Sequence, residues 1–209
     1  MKTSDLDLKK DLKMDPRTGI ASIRDSRVLI LDAEVFGLIR EEVIEELGQA
    51  RAKDFFLRVG FQHGYADFMR MNLSHEFDDD TNLLLSASCL QAWEGWAQAK
   101  PRELRFNRQT GDFLSTGSWN NSFEAEQHLF HHPPIREPVC WTMMGYSSGW
   151  CSAFAGTLII SIETSCVGMG DPHCEWRGQL PVNWGQSART YYRVYQDLLS
   201  GGVDGRRIA

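Results

Sequence analysis

Apolar and polar positions alternate along this chain in helical and strand periods that punctuation residues separate cleanly. After a polar opening, a Pro16-Arg17-Thr18-Gly19 turn leads into residues 20–31, whose alternating and then continuous apolar positions predict a hairpin or strand pair. Asp32 stands as an N-cap, Val35, Phe36, Ile39, Val43 and Leu47 repeat at helical spacing, and Gly48 supplies the stop. Glu41, Glu42, Glu45 and Glu46 fall on the opposite, solvated face. A second helix is predicted over 50–71, with Phe55, Phe56, Val59 and Phe68 apolar, and with Gly60 and Gly64 spaced to let another backbone approach in core or dimer packing. Residues 76–82 form an exposed acidic loop and the best internal boundary, followed by a leucine-rich helix over 82–93.

Residues 97–106 and 111–119 read as strands joined by a tight turn. Asn121 with Glu124 predicts a capping-box start for a short helix through His131. Pro138 opens a helix to Ala155, with Gly145 and Gly149 again four apart; strands follow over 157–165 and 175–180. The last helix, 184–199, offers Tyr191, Tyr192, Val194, Tyr195 and Leu198 for partner contact and precedes a glycine- and arginine-rich tail over 201–207. The class is α+β.

Composition narrows this picture. A chain of 209 residues with 42% hydrophobic positions can bury an ordinary core in one large or two small domains. A net charge of −6 without a Lys/Arg stripe argues against a nucleic-acid surface, so any DNA contact belongs to another domain. The polar, charged opening and the absence of any run near membrane-span length predict a cytoplasmic protein with no membrane partner. Five cysteines, an odd number, read as reduced thiols or metal ligands.

Candidate chemistry concentrates in residues 138–176. Cys140, Glu163, Cys166 and Cys174 bracket two elements and a glycine turn, and three thiolates plus a carboxylate can close a tetrahedral structural zinc site. Their uneven spacing matches no common zinc knuckle. Cys140 and Cys166 can equally be small buried thiols, and His173 can replace Glu163 as ligand. Cys89 and Cys151 lie on apolar helices as packing residues, and His128, His131 and His132 read as a solvated helix end rather than a second metal site. No GxSxG, HExxH, P-loop or helix-opening GxGxxG motif occurs, which favours binding over reaction chemistry.

The strings SFEAEQHL (122–129), PVCW (138–141), GYSSGWCSAF (145–154) and ETSCVGMGDPHC (163–174), with residues 28–64, resemble the sensory domain of the XylR/DmpR group, sigma-54-dependent NtrC-type activators of aromatic catabolism. The resemblance implies an N-terminal dimerisation portion (1–50), a mixed α/β effector-binding domain of the 4-vinyl reductase type (51–183) and a C-terminal linker helix and tail (184–209). It also implies a structural zinc on Cys140, Glu163, Cys166 and Cys174, a homodimer, and an AAA+ ATPase domain outside this chain that effector binding releases from restraint. Phenol sensors of the group hold the effector hydroxyl between a histidine and a tryptophan, which fall on Gln91 and Trp119. Their pocket tyrosines fall on Met144 and Ser161, and a bulky residue falls on Gly117. Trp96 joins this candidate pocket. On their own, Trp93, Trp96 and Trp119 read as core packing. The smaller residues predict an effector larger than phenol: a hydroxylated biphenyl first, pointing to the hydroxybiphenyl-sensing branch, and an alkylated monocyclic aromatic second. The expectation is a non-enzyme. A zinc-dependent enzyme acting on an aromatic substrate would need an open coordination position, and a non-catalytic assembly module is the remaining alternative.

Overall fold

A computed structural model describes residues 1–23 and 26–200; the predicted 201–207 tail lies outside them. The chain opens on a small antiparallel sheet, β1 (Leu12–Asp15), β2 (Ile20–Ile23) and β3 (Ser26–Val28), in the order β1-β2-β3. The first turn closes through Gly19, whose amide donates to the Asp15 carbonyl at 2.9 Å with φ at +69°. The predicted strand pair thus exists but stops at Val28. Leu29, Ile30 and Leu31, read as its continuous apolar run, are exposed.

Helix α1 (Ala33–Leu47) runs between the predicted caps, although the Asp32 side chain makes no capping hydrogen bond. Helix α2 (Gln49–Ser74) follows Gly48, which bends the chain at φ +77°. Helix α3 (Asp80–Trp93) is capped by Asp79, whose carboxylate accepts the Asn82 amide at 2.7 Å.

A four-stranded antiparallel sheet, β4 (Gln98–Asn107), β5 (Asp112–Asn120), β6 (Ile160–Ser165) and β7 (Cys174–Gln179), is ordered β4-β5-β7-β6. Between β5 and β6 run α4 (Phe123–His131) and α5 (Trp141–Ala155). The cap of α4 is Ser122, whose hydroxyl accepts the Ala125 amide, rather than the expected Asn121, which turns the chain at φ +56°. Helix α5 starts at Trp141, three residues after the expected Pro138, and β6 starts at Ile160 rather than 157.

The two glycine pairs face one another. A side chain on Gly60 or Gly64 would collide with the Thr142 or Tyr146 carbonyl, and one on Gly145 or Gly149 with the Leu57 or Phe61 carbonyl. The spacing read from sequence therefore serves core packing, bringing α2 and α5 into backbone contact. The final helix α6 (Arg189–Ser200) begins after two short helical turns. Tyr191, Val194 and Tyr195, expected to face a partner, are buried in the chain's own core, with Tyr195 stacked on Phe61 at 4.8 Å; Tyr192 is the more exposed tyrosine.

Candidate metal centre and effector site

Strand register sets the site. On one face of the sheet, Gly117 lies opposite Trp176, which lies opposite Glu163, while Trp119 pairs with Cys174. One step along the strands, Ser115, Gly178 and Ser161 form a parallel row. The face thus grades from thiol and carboxylate at one end to serine and glycine at the other.

At the first end, one ligand atom each from Cys140, Glu163, Cys166 and Cys174 lies within 4.8 Å of the others, and all four residues are buried. Cys140 Sγ is 3.8 Å from Cys174 Sγ, which is 4.0 Å from Cys166 Sγ. A tetrahedral ion with metal–sulfur bonds of about 2.3 Å would separate its sulfurs by roughly 3.8 Å, so the thiols stand at the right spacing. Backbone amides point at the sulfurs: Val139 N donates to Cys166 Sγ at 3.5 Å and Val167 N to Cys174 Sγ at 3.4 Å. Glu163 Oε2 accepts the Cys140 amide at 3.2 Å. Three thiols and a carboxyl in one buried space cannot all ionise without a cation. Burial accordingly pushes Cys140 and Glu163 up, whereas hydrogen bonds from Cys140 and Cys174 hold Cys166 well below the usual thiol range. The donor set fits a divalent ion that accepts thiolate.

Neighbouring elements hold this end rigidly. The Glu124 carboxylate accepts the Thr142 and Met143 amides, each at 2.9 Å, and so caps α5 directly after Cys140. Ser122 Oγ lies 3.1 Å from Cys140 Sγ. His173, considered as a ligand, instead pairs with Glu175 at 2.9 Å outside the cluster. His132 pairs with Glu41, and none of the three helix-end histidines joins a ligand cluster among the described residues. A second group, His63, Asp67 and Glu94, is compact, but Asp67 is already held by His63, Arg70 and the Tyr146 hydroxyl.

At the other end, a cavity of about 50 Å³ is lined by Leu84, Gln91, Ser115, Ser147, Trp150 and Trp176, among others. Gln91 is therefore part of a cavity wall. Trp119 is buried beside it, stacked on Trp176 at 4.9 Å, and its indole N–H has no hydrogen-bond partner. Ser161 Oγ is also buried without one, while the Ser161 amide donates to Ser148 Oγ at 2.9 Å. Met144 reaches toward the metal end, its sulfur accepting the Glu163 amide at 3.2 Å. Gly117 is not open space: a side chain there would collide with the Trp176 ring. Trp96 packs against Phe123 and Tyr146, away from the cavity lining. Trp150 and Trp176 were absent from the sequence expectation, and only their alternation opposite Gly117 and along α5 could have pointed to them.

Residues 7–107 match the family described as activator of aromatic catabolism, and residues 119–180 match the 4-vinyl reductase domain family. The chain is 31% identical over 183 residues to the phenol regulator MopR of Acinetobacter guillouiae, covering 85% of this chain and 32% of that protein. It is 31% identical over 189 residues to the transcriptional regulatory protein XylR of Pseudomonas putida, covering 90% of this chain and 33% of that one. The chain thus spans about a third of the length of these relatives. It also superposes on the crystal structure of the phenol-responsive sensory domain of the transcription activator PoxR with phenol, at TM-score 0.84 and 29% identity over 93% of this chain and 95% of that one. No helix among the described residues is long and apolar enough to cross a membrane.

Proposed function

This chain belongs to the sensory-domain family of the activators of aromatic catabolism, and we propose that it binds an aromatic effector between α3, α5 and the serine–glycine end of the large sheet. The observation that carries this reading is the contiguity, on one sheet face, of a four-ligand cluster and a cavity walled by Gln91 and two tryptophans. In this reading zinc sits on Cys140, Glu163, Cys166 and Cys174 and holds α5, β6 and β7 in register. Four protein ligands leave no open coordination position, so the metal staples the fold and does not act on substrate, consistent with a non-enzyme. The metal end supplies rigidity, and the cavity supplies recognition.

Within the pocket, the Trp119 indole donates to the effector's hydroxyl and the Gln91 amide donates or accepts. Such a hydrogen bond adds about 0.5–1.5 kcal/mol net. Apolar contact supplies the larger share, at about 25 cal/mol per Å² of buried area. Ser161 and Met144, small or pliable where phenol sensors carry tyrosine, favour an effector with a second ring, such as a hydroxylated biphenyl. A second reading, an alkylated monocyclic aromatic, is favoured by Trp176, which fills the space beside Gly117. Binding then shifts the domain toward an arrangement that releases an ATPase domain outside this chain, by no more than the effector's differential affinity for the two states. Leu29, Ile30, Leu31 and Leu38, exposed around α1, supply the apolar surface of a homodimer.

A thermal-shift screen of phenol, alkylphenols and hydroxylated biphenyls on this chain tests the reading. Stabilisation by hydroxylated biphenyls above phenol supports the enlarged pocket. Stabilisation by alkylphenols alone selects the monocyclic reading, and stabilisation by none removes the effector site.

A further inference from the structure

Helix α1 buries a charge where its pattern predicts an apolar face. Arg40 is 1% exposed, whereas Val35, Leu38 and Ile39 of the same helix are exposed. The guanidinium lies 3.7 Å from the Trp141 ring centroid and places Nη1 3.3 Å from Glu124 Oε1. Its Nε and Nη2 are buried with no hydrogen-bond partner. Glu124 in turn is committed to the Thr142 and Met143 amides, the first turn of α5, which begins immediately after Cys140. Arg40 therefore crosses from the part of the chain matched to the activator family to the edge of the cysteine cluster in the 4-vinyl reductase part.

A fully buried guanidinium with one shared carboxylate partner is expensive. Burial draws its pKa down, and the charges of Glu124, Cys140, Glu41 and Cys166 act against that pull, so two of the four cluster residues lie close enough to matter. A divalent ion on three thiolates and a carboxylate leaves the cluster with two net negative charges. Such a centre calls for a cation beyond its ligands, and Arg40 stands where one is needed. We infer that Arg40 is the outer-sphere cation of the Cys140–Glu163–Cys166–Cys174 centre, so that metal loading and the docking of α1 stabilise one another. This rests on the metal reading proposed above. The linkage is reciprocal: whatever Arg40 adds to metal affinity, the metal adds to α1 docking.

The test is zinc affinity, measured by competition with a chromophoric chelator, on the unaltered chain and on Arg40→Met, Arg40→Lys and the double variant Arg40→Met with Glu124→Gln. Hydrogen exchange over residues 33–47 is read with and without zinc. The unaltered chain should bind one zinc, and stripping it should speed exchange in α1. Arg40→Met and the double variant should bind zinc about 10- to 100-fold more weakly, and Arg40→Lys should recover part of the loss. In the double variant, exchange in α1 should no longer depend on zinc. That variant removes both charges while keeping their shape, so it carries the measurement if Arg40→Met alone fails to fold. Full zinc affinity in the double variant, with exchange in α1 still zinc-dependent, overturns the inference and leaves the metal reading intact. A chain that takes up no zinc at all overturns both.

Discussion

The two ends of one sheet face differ in how tightly their side chains are determined. At the Glu163–Cys174 end, sulfurs receive amide hydrogen bonds, α5 is capped by Glu124, and Ser122 touches Cys140, so at least three elements fix each position. At the Ser161–Gly178 end, two residues along the same strands, the row is serine, glycine and serine, and buried polar atoms lack partners. One end is over-determined and the other is under-filled. The first can be broken by one substitution but not retuned, while the second can be retuned without unfolding the domain.

The largest break expected is Cys166→Ser. Its thiol meets the other two thiols and the Val139 amide. Loss of metal should take with it most of the domain's stability, since a structural ion contributes on the order of 10 kcal/mol where folding and binding are coupled. Metal content and far-UV circular dichroism check this; a folded variant with a full complement of metal would contradict the closed site.

Next in size is an opposition of pH slopes. Burial pushes the Glu163 carboxyl and the Cys140 thiol up. In chelator-stripped protein the folded state then keeps protons that the unfolded chain releases, above roughly pH 4.3 for the carboxyl and above roughly pH 8.5 for the thiol. The folded state binds more protons, so stability should fall as pH rises. Metal-loaded protein should show the reverse at the acid side, because protons compete with the ion for its ligands. Melting temperatures at pH 5.5 and 8, with and without chelator, test the crossing; parallel slopes would show that the cluster residues do not share an ion.

The serine–glycine end should respond differently. Ser161→Tyr places a ring in the row facing Gly178 and should erase stabilisation by hydroxylated biphenyls while keeping or improving that by phenol, with metal content unchanged. The loss amounts to a buried ring, several kcal/mol at about 25 cal/mol per Å², or more than 100-fold in Kd. Equal loss of both ligands would place the effector elsewhere.

This asymmetry also explains what could be read from the residues alone. Caps and punctuation located α1, α2, α3 and the β4–β5 hairpin within a few residues, because Asp32, Gly48 and Gly111 act locally. The four candidate ligands come together because thiol and carboxyl chemistry is legible wherever it stands. Periodicity says which face is apolar but not what covers it. Tyr191, Val194 and Tyr195 were therefore assigned to a partner when α2 covers them, and the stripe of Val35 and Ile39 was taken for core although it is exposed. Gly117 suggested empty volume because its cross-strand neighbour Trp176 is far off in sequence. Arg40 lay hidden for the same reason, its partner Glu124 being 84 residues away.

The finest distinction between the two ends is a single hydrogen bond. Trp119 belongs to both: its backbone pairs with Cys174 at the metal end, while its ring stacks on Trp176, a wall of the cavity. Trp119→Phe keeps an aromatic ring for the stack and removes only the indole N–H, which has no partner within the protein. The free domain should therefore lose little stability beyond the smaller buried area, and metal affinity should not move. Effector affinity should fall by the net value of one hydrogen bond, about 0.5–1.5 kcal/mol, a factor of roughly 2 to 12 in Kd. The loss should appear with a hydroxylated aromatic and vanish with the same ring lacking its hydroxyl. A titration with such a matched pair separates the roles: equal weakening of both ligands would mean that Trp119 acts through packing alone, and that the polar handle of the pocket is Gln91.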